Sequence, residues 1–339
     1  MSNPLESFLH SVASTAHLTG NRDFVADDAG PLTELVAHNT IAVLPHWSIL
    51  QVAGVDASKF LQGQLSCDIN SATESHATLG AHCSPKGRML SSFLIARPQA
   101  DTYWLRVHAD IRDSASAALG KYAVFSKARI EPQTQLIALG IAGPDAAAMI
   151  ETFAGQKPAG LNGAICVQQG VIVQLDTDAR RFECWLPAPA AQALWQQCSQ
   201  FRAVGSAFWR WLDIRDGVAT IEAGTVDTFI PQMLNYHLNG GVSFSKGCYT
   251  GQEIVARAQY RGQVKRHLLR AQAQAAAPAV GGDVVGAEGR TLGQIVGAVD
   301  RGDGYCELLL VAGGEDGDRP ALYLRKADGA GGEVPLQVL

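Results

Sequence analysis

No two cysteines of this chain stand in a C-x-x-C spacing, and the seven present (Cys67, Cys83, Cys166, Cys184, Cys198, Cys248 and Cys306) are scattered and odd in number. That pattern argues against a disulfide framework and against any zinc or iron–sulfur site built from a local motif, so no resident metal is expected. It suits reduced thiols. No apolar run reaches the roughly 18 residues of a membrane-spanning helix. The first 28 residues hold one arginine, Arg22, against Glu6, Asp23, Asp27 and Asp28. They have neither the basic-then-apolar order of a secretion signal nor the Arg-rich character of a transit peptide. A cytoplasmic protein is the expectation. Charge is scarce too, at 17% of residues with a net of -5. A surface built throughout to grip a phosphate backbone is excluded, although a local basic patch is not. Repeats are absent.

What the sequence has is apolar mass: 47% of 339 residues, enough for two or three packed units. The opening 30 residues read as polar and loop-like with one short helix, and Ile41–Val52 as extended. Asp56 suits the N-cap of a helix that carries Phe60, Leu61 and Leu65 on one face. Gly80–Cys83 and Arg88–Ala96 read as strands joined by the turn Ser84-Pro85-Lys86-Gly87. Thr102–Val107 alternates with Tyr103, Leu105 and Val107 inward. Asp110 suits the cap of a helix to about Lys121, with a strand over Val124–Ile130 after it. Leu136–Ala142 predicts a strand, and Gly143-Pro144 the start of a helix. Strands over Ile165–Leu175 and Phe182–Leu186 precede helices near Pro189–Gln200 and Ser206–Arg215. Ala271–Gly282 has the composition of a linker or of a connection within a β unit. The short apolar runs Thr291–Val299 and Cys306–Val311 beyond it suggest a small closing β-barrel. The class is α+β.

The densest segment is Lys246-Gly247-Cys248-Tyr249-Thr250-Gly251-Gln252-Glu253. Thr250-x-x-Glu253 predicts a capping box that opens a helix with Ile254, Val255 and Ala258 as its apolar positions. Cys248 then lies near the helix's positive end and Lys246, both of which favour a thiolate. A small buried hydrophobe at a tight turn is the other reading of Cys248. From Lys246 to Arg266 five bases (Lys246, Arg257, Arg261, Lys265, Arg266) face one acid, Glu253. Arg257 and Arg261 share a helical face at their four-residue spacing. Such a face suits an anionic ligand or is a solvated surface; spacing alone does not choose.

These residues also carry a resemblance. Lys246–Glu253, continued through Ile254-Val255-Ala256-Arg257-Ala258 and Arg261-Gly262, resembles the signature of the YgfZ family. Phe229–Asn235, Gly240–Phe244, Phe60–Asp68 and Cys83–Arg88 resemble it in the same order, over roughly residues 40 to 310. The resemblance implies the fold of the glycine-cleavage aminomethyltransferases: a three-part ring around a folate site. Two intertwined α+β subdomains (residues 1–265) and a C-terminal β-barrel (residues 266–339) are implied. It also implies a protein that binds tetrahydrofolate or a one-carbon derivative and supports assembly or repair of iron–sulfur proteins, including those that modify tRNA. Those clients would be transient partners. No membrane partner and no direct nucleic-acid binding are expected.

The resemblance further implies a site. Cys248 and Lys246 would be its working groups, and Glu222 the acid that accepts two hydrogen bonds from the pterin edge. Tyr249, Phe229 and Met233 would offer walls, Gln252 a polar contact, and Arg257, Arg261 or Arg215 a charge for the glutamate tail. The pterin cavity is expected to border the turn and helix that begin near Lys246. Where aminomethyltransferases carry an Asp-Asp pair, this chain has Ser91-Ser92. A hydroxyl neither stabilises a cationic intermediate nor acts as a base near neutral pH, so glycine cleavage is not expected. A one-carbon transferase on another amine is the alternative function.

Overall fold

The computed structural model describes residues 4–12, 17–18, 24–25, 30–167, 169–262, 264–314, 320–325 and 333–339. Most of the loop-like reading for residues 1–30 lies outside the described residues; within them are the helix Pro4–Val12 and the pair His17–Leu18 with Phe24–Val25. Among the described residues no helix is long and apolar enough to cross a membrane.

One sheet is five-stranded and antiparallel, in the order Thr78–Cys83, Met89–Gln99, Thr102–His108, Trp47–Ala53, Arg129–Pro132. Every residue of Thr102–His108 is buried, so the inward-outward alternation expected there is replaced by burial on both faces. Packing on both faces removes the reason for alternation. The six-stranded sheet runs Ala164–Val167, Gly170–Gln174, Arg181–Pro187, Leu136–Ala142, Thr40–Val43, Arg202–Ala203, with the last pair parallel. The chain leaves this sheet at Val43, enters the other at Trp47, and returns at Leu136. The two units are therefore intertwined. Helices Pro4–Val12, Ala146–Ala154 and Ala188–Gln197 cover the outer face of the six-stranded sheet through Phe8, Ile150 and Leu194.

A seven-stranded sheet takes the rest, from Arg266–Ala273 to Gln337–Val338. Its two ends, Val334–Pro335 and Gln337–Val338, are consecutive in the chain, so the sheet curls into a nearly closed barrel. Residues 271–273 of the linker-like stretch belong to a strand here. Ala271 and Ala273 point into the barrel core while Gln272 stays half-buried, a period of two that composition concealed.

Other local expectations shift for identifiable reasons. Ile165–Leu175 is a hairpin, Ala164–Val167 paired with Gly170–Gln174. The strand over Val124–Ile130 starts only at Arg129, leaving Val124 and Phe125 exposed. Asp56 stands at its helix start, yet its carboxylate accepts from Lys127 N at 2.8 Å and caps nothing. Asp110 likewise leaves the helix Arg112–Ala123 uncapped, because its carboxylate binds His108 and the Ala223 N–H. The capping box at Thr250 is absent too. Helix Gln252–Tyr260 begins at Gly251, whose φ of 83° and missing Cβ let its backbone press against Ser84 O and Gly87. Val255 is that helix's buried residue; Ile254 is 37% exposed and packs against Gly87.

Candidate functional site

A cavity of about 630 Å³ lies where the two intertwined sheets face each other. Leu79, Leu94 and Arg106 come from the five-stranded sheet, and Ala142 and Arg181 from the six-stranded one. The helix Ser206–Arg215 adds Phe208, Leu212, Asp213 and Arg215. That helix is where Ser206–Arg215 was expected, and its buried Trp209, Trp211 and Leu212 anchor it to the core. Its cavity face is thereby set.

Two buried ion pairs brace the walls. Arg106 Nη1 donates to Glu183 Oε2 at 3.0 Å, joining one sheet to the other, and its guanidinium lies 3.8 Å from the Trp47 ring. Trp185 Nε1 donates to the other Glu183 oxygen at 2.6 Å. Burial pushes the Glu183 carboxyl up, and Arg106 and Trp185 pull it back. Arg181 donates to Asp213 at 2.6 Å and Asp216 at 3.0 Å while covering the Trp209 ring. Arg106 Nε and Arg181 Nε are buried without a partner. At the rim stand exposed Arg180, Asp178 and Asp216 with half-buried Arg215, whose Nε lies 3.3 Å from Asp216, so the hollow combines an apolar wall with a mouth that carries both signs of charge. Sequence reasoning missed Arg106, Arg181, Glu183 and Asp213. The available signal was Arg181-Phe182-Glu183-Cys184-Trp185-Leu186, two charges inside an otherwise apolar strand.

Among the described residues the family model for the GCVT N-terminal domain matches residues 38–163. Over 99% of its length the chain aligns with 95% of the glycine cleavage system aminomethyltransferase T from Bartonella henselae, at a TM-score of 0.80 and 18% identity. The chain has the aminomethyltransferase fold. Heterotetrameric sarcosine oxidase from Corynebacterium sp. U-96 aligns with 60% of this chain over 97% of its own, at 13% identity and a TM-score of 0.37. That likeness is too partial to bear on function.

Within this aminomethyltransferase fold the expected site residues separate. Only Arg215 among them lines the large cavity. Lys246, Cys248, Tyr249, Gln252, Arg257, Arg261 and Met233 do not, so the hollow is not bordered by the turn at Lys246. Lys246 instead ends the helix Ala57–Gln64: its Nζ donates to the carbonyls of Gln62, Leu65 and Cys67 at 2.6, 2.6 and 2.9 Å. Burial lowers its pKa to about 8, yet three acceptors for three protons make the ammonium the form this cage holds. Tyr249 packs under it with the ring 5.0 Å from Nζ, and burial pushes the phenol up. Gln232 Nε2 donates to Val255 O at 2.6 Å, fixing the helix to the turn Pro231–Leu234 that carries Met233. Gln252 opens that helix, Arg257 is exposed in its last turn and Arg261 at its C-cap, and Cys248 is exposed. Ser92 Oγ accepts from Ile221 N at 2.9 Å, while Ser91 is buried beside it.

Glu222 lies in a second, smaller cleft of about 30 Å³, which shares Asp213 and Val218 with the large one. His46, His108 and Arg210 line it as well. Glu222 Oε1 is 3.7 Å from Arg210 and Oε2 4.0 Å from His108 Nε2. Burial, reinforced by His108, Arg210 and Arg106, holds His46 well below the ordinary imidazole range.

Proposed function

We propose that this protein binds tetrahydrofolate or a one-carbon derivative in the 630 Å³ cavity, within a three-part ring, as a factor of the YgfZ type. The cavity carries the reading. Drug-sized ligands occupy hollows of roughly 300–1,000 Å³, and this one has that size, with an apolar stretch beside a set of charged and polar side chains. Phe208, Leu94 and Leu212 suit a flat ring system, and Arg180 and Arg215 an anionic glutamate tail. Asp213 is the buried carboxylate on the wall, and it takes the place first given to Glu222 as acceptor for the pterin edge. The unpartnered Nε of Arg106 and of Arg181 leave donors on the same walls. The residues present fit the group.

A bound folate would supply a one-carbon unit; the chain's own residues bind it, orient it and exclude water. With serines in place of the acid pair, and Ser92 already engaged by Ile221 N, these two positions do not play the acid's part in aminomethyl transfer. The reading is therefore a binding factor for assembly or repair of iron–sulfur proteins, tRNA-modifying ones among its clients, acting in the cytoplasm. Cys248 is one of two exposed thiols, with Cys166, and Lys246 positions the loop that holds it.

Calorimetric titration of purified protein with tetrahydrofolate tests the core of this. Binding in the wild type, weakened at least tenfold by Asp213→Asn and by Arg215→Ala, is expected. No heat in the wild type, or unchanged affinity in both variants, overturns it.

A further inference from the structure

Arg257 and Arg261 keep clear of the 630 Å³ cavity, so the folate reading leaves their charge without a use. The fold gives that charge company from a distant part of the chain. A Cβ added at Gly87 would fall 2.8 Å from Ile254 Cβ, so the turn Ser84–Gly87 sits against the first turn of helix Gln252–Tyr260. Exposed Lys86 and Arg88 flank Gly87 on either side. From Ile254, positions 257 and 261 fall at the spacing of one helical face, and exposed Lys265 follows the helix. Five bases from two separate segments thus share one stretch of surface. Arg106, Arg181 and Arg301 each hold an acid; among the described residues none of these five does. Arg88 gives one N–H to the Asp227 carbonyl, which does not neutralise it. The acids alongside are exposed Glu253 and Asp227, whose carboxylate already accepts from Ser84 Oγ at 2.7 Å. Tyr260, 71% exposed, stands among the bases with its ring edge-on to Phe244 at 5.8 Å. Phe244 leads into the loop that carries the exposed thiol of Cys248.

We propose that this surface docks an acidic protein, whose carboxylates meet the five bases and whose apolar side chains cover Tyr260, beside Cys248. Three of the bases are arginines, and the guanidinium fork matches a carboxylate with two parallel N–H···O bonds. Arginine and tyrosine are also the side chains that protein interfaces and their hot spots favour. Arg257 and Arg261 are like charges four apart, an arrangement that disfavours a helix on its own and that an anion between them relieves. A solvated face would instead pair Glu with Lys at that spacing. A nucleic-acid strand fits less well. Proteins that track such strands use several aromatic platforms along a basic groove, whereas Tyr260 stands on an outward helix face. The chain's net charge of -5 opposes a polyanion, while a partner with one acidic patch meets the local field. The inference rests on charge and placement and does not need the folate reading.

A fluorescein-labelled helical peptide of glutamate and leucine, followed by anisotropy against the full chain, tests the surface. Its binding should weaken several-fold as NaCl rises from about 50 to about 200 mM. It should fall at least about tenfold in Arg257→Glu/Arg261→Glu. It should stay within about twofold in Lys59→Glu/Lys157→Glu, exposed lysines elsewhere whose reversal changes the net charge equally. Circular dichroism establishes that each variant is folded, and Arg257→Gln/Arg261→Gln stands in should the reversal unfold the chain. In a Cys166→Ser background Cys248 is the remaining exposed thiol, and bound peptide should slow its alkylation by iodoacetamide. No binding in the wild type, equal loss in the two charge reversals, or an unchanged alkylation rate overturns the proposal. Tighter binding of a single-stranded RNA of equal charge overturns it too and assigns the surface to nucleic acid. So does weaker tetrahydrofolate binding in Arg257→Gln/Arg261→Gln, which returns both arginines to the glutamate tail.

Discussion

Two regions of the molecule invite comparison: the segment Lys246–Arg261, with the loudest sequence pattern, and the cavity between the sheets, with almost none. The motif segment works largely as a lock. Its lysine ends one helix, Gly251 and Gly87 let a helix start press on the turn Ser84–Gly87, and Ser84 Oγ ties that turn to Asp227 at 2.7 Å. The cavity is assembled from single residues on separate strands, each unremarkable in its own stretch of chain. A dense local motif therefore marks where the backbone is tightly constrained; the 630 Å³ hollow lies elsewhere.

The comparison breaks most sharply at the inter-sheet ion pair. Arg106→Leu leaves Glu183 buried and unpaired, so it should cost about 3–5 kcal/mol in urea unfolding. The double variant Arg106→Leu/Glu183→Leu should recover most of that; a double variant as unstable as the single one would show that the cavity walls need the charges themselves.

Next comes pH. His82 is 1% exposed, its nitrogens have no partner, and burial lowers its pKa to about 4. The unfolded chain takes up a proton below about 6.5 while the folded one does not, so stability is complete above that pH and falls as pH drops toward 4. The expected loss is about 3 kcal/mol at about 1.4 kcal/mol per unit, with His46 adding in the same direction. Unfolding curves between pH 7.5 and 4 measure it, and His82→Leu should flatten the slope.

A smaller effect separates lock from function. Lys246→Met should cost about 2–3 kcal/mol, because three carbonyls lose their shared donor. Unchanged stability would return Lys246 to a purely chemical role. Cys248→Ser, at an exposed position, should alter stability by less than about 0.5 kcal/mol. On the proposed function, a loss of iron–sulfur enzyme activity in cells carrying it then reports on the thiol.

Several elements were legible from pattern alone. Ser206–Arg215 ends where expected because its apolar spacing and its flanks agree, and the strand Leu136–Ala142 is a continuous apolar run. Ala271-Gln272-Ala273 was harder, since alanine weakens the alternation signal and only the barrel interior gives small side chains a reason to be there. Caps were the least legible. Asp56, Asp110 and Thr250 each had the right chemistry for a cap, but tertiary partners such as Lys127 N and Ala223 N competed for the two carboxylates.

The amino-acid order by itself determined the α+β class, the placement of most strands and helices, and the tight turn around Lys246, because local propensity and periodicity act over a few residues. Only the tertiary structure decided that Arg106 meets Glu183, that Glu222 joins His108 and His46, and that the hollow opens between the two sheets. The Arg106–Glu183 pair alone joins residues 77 apart in the chain, where nothing local links their identities.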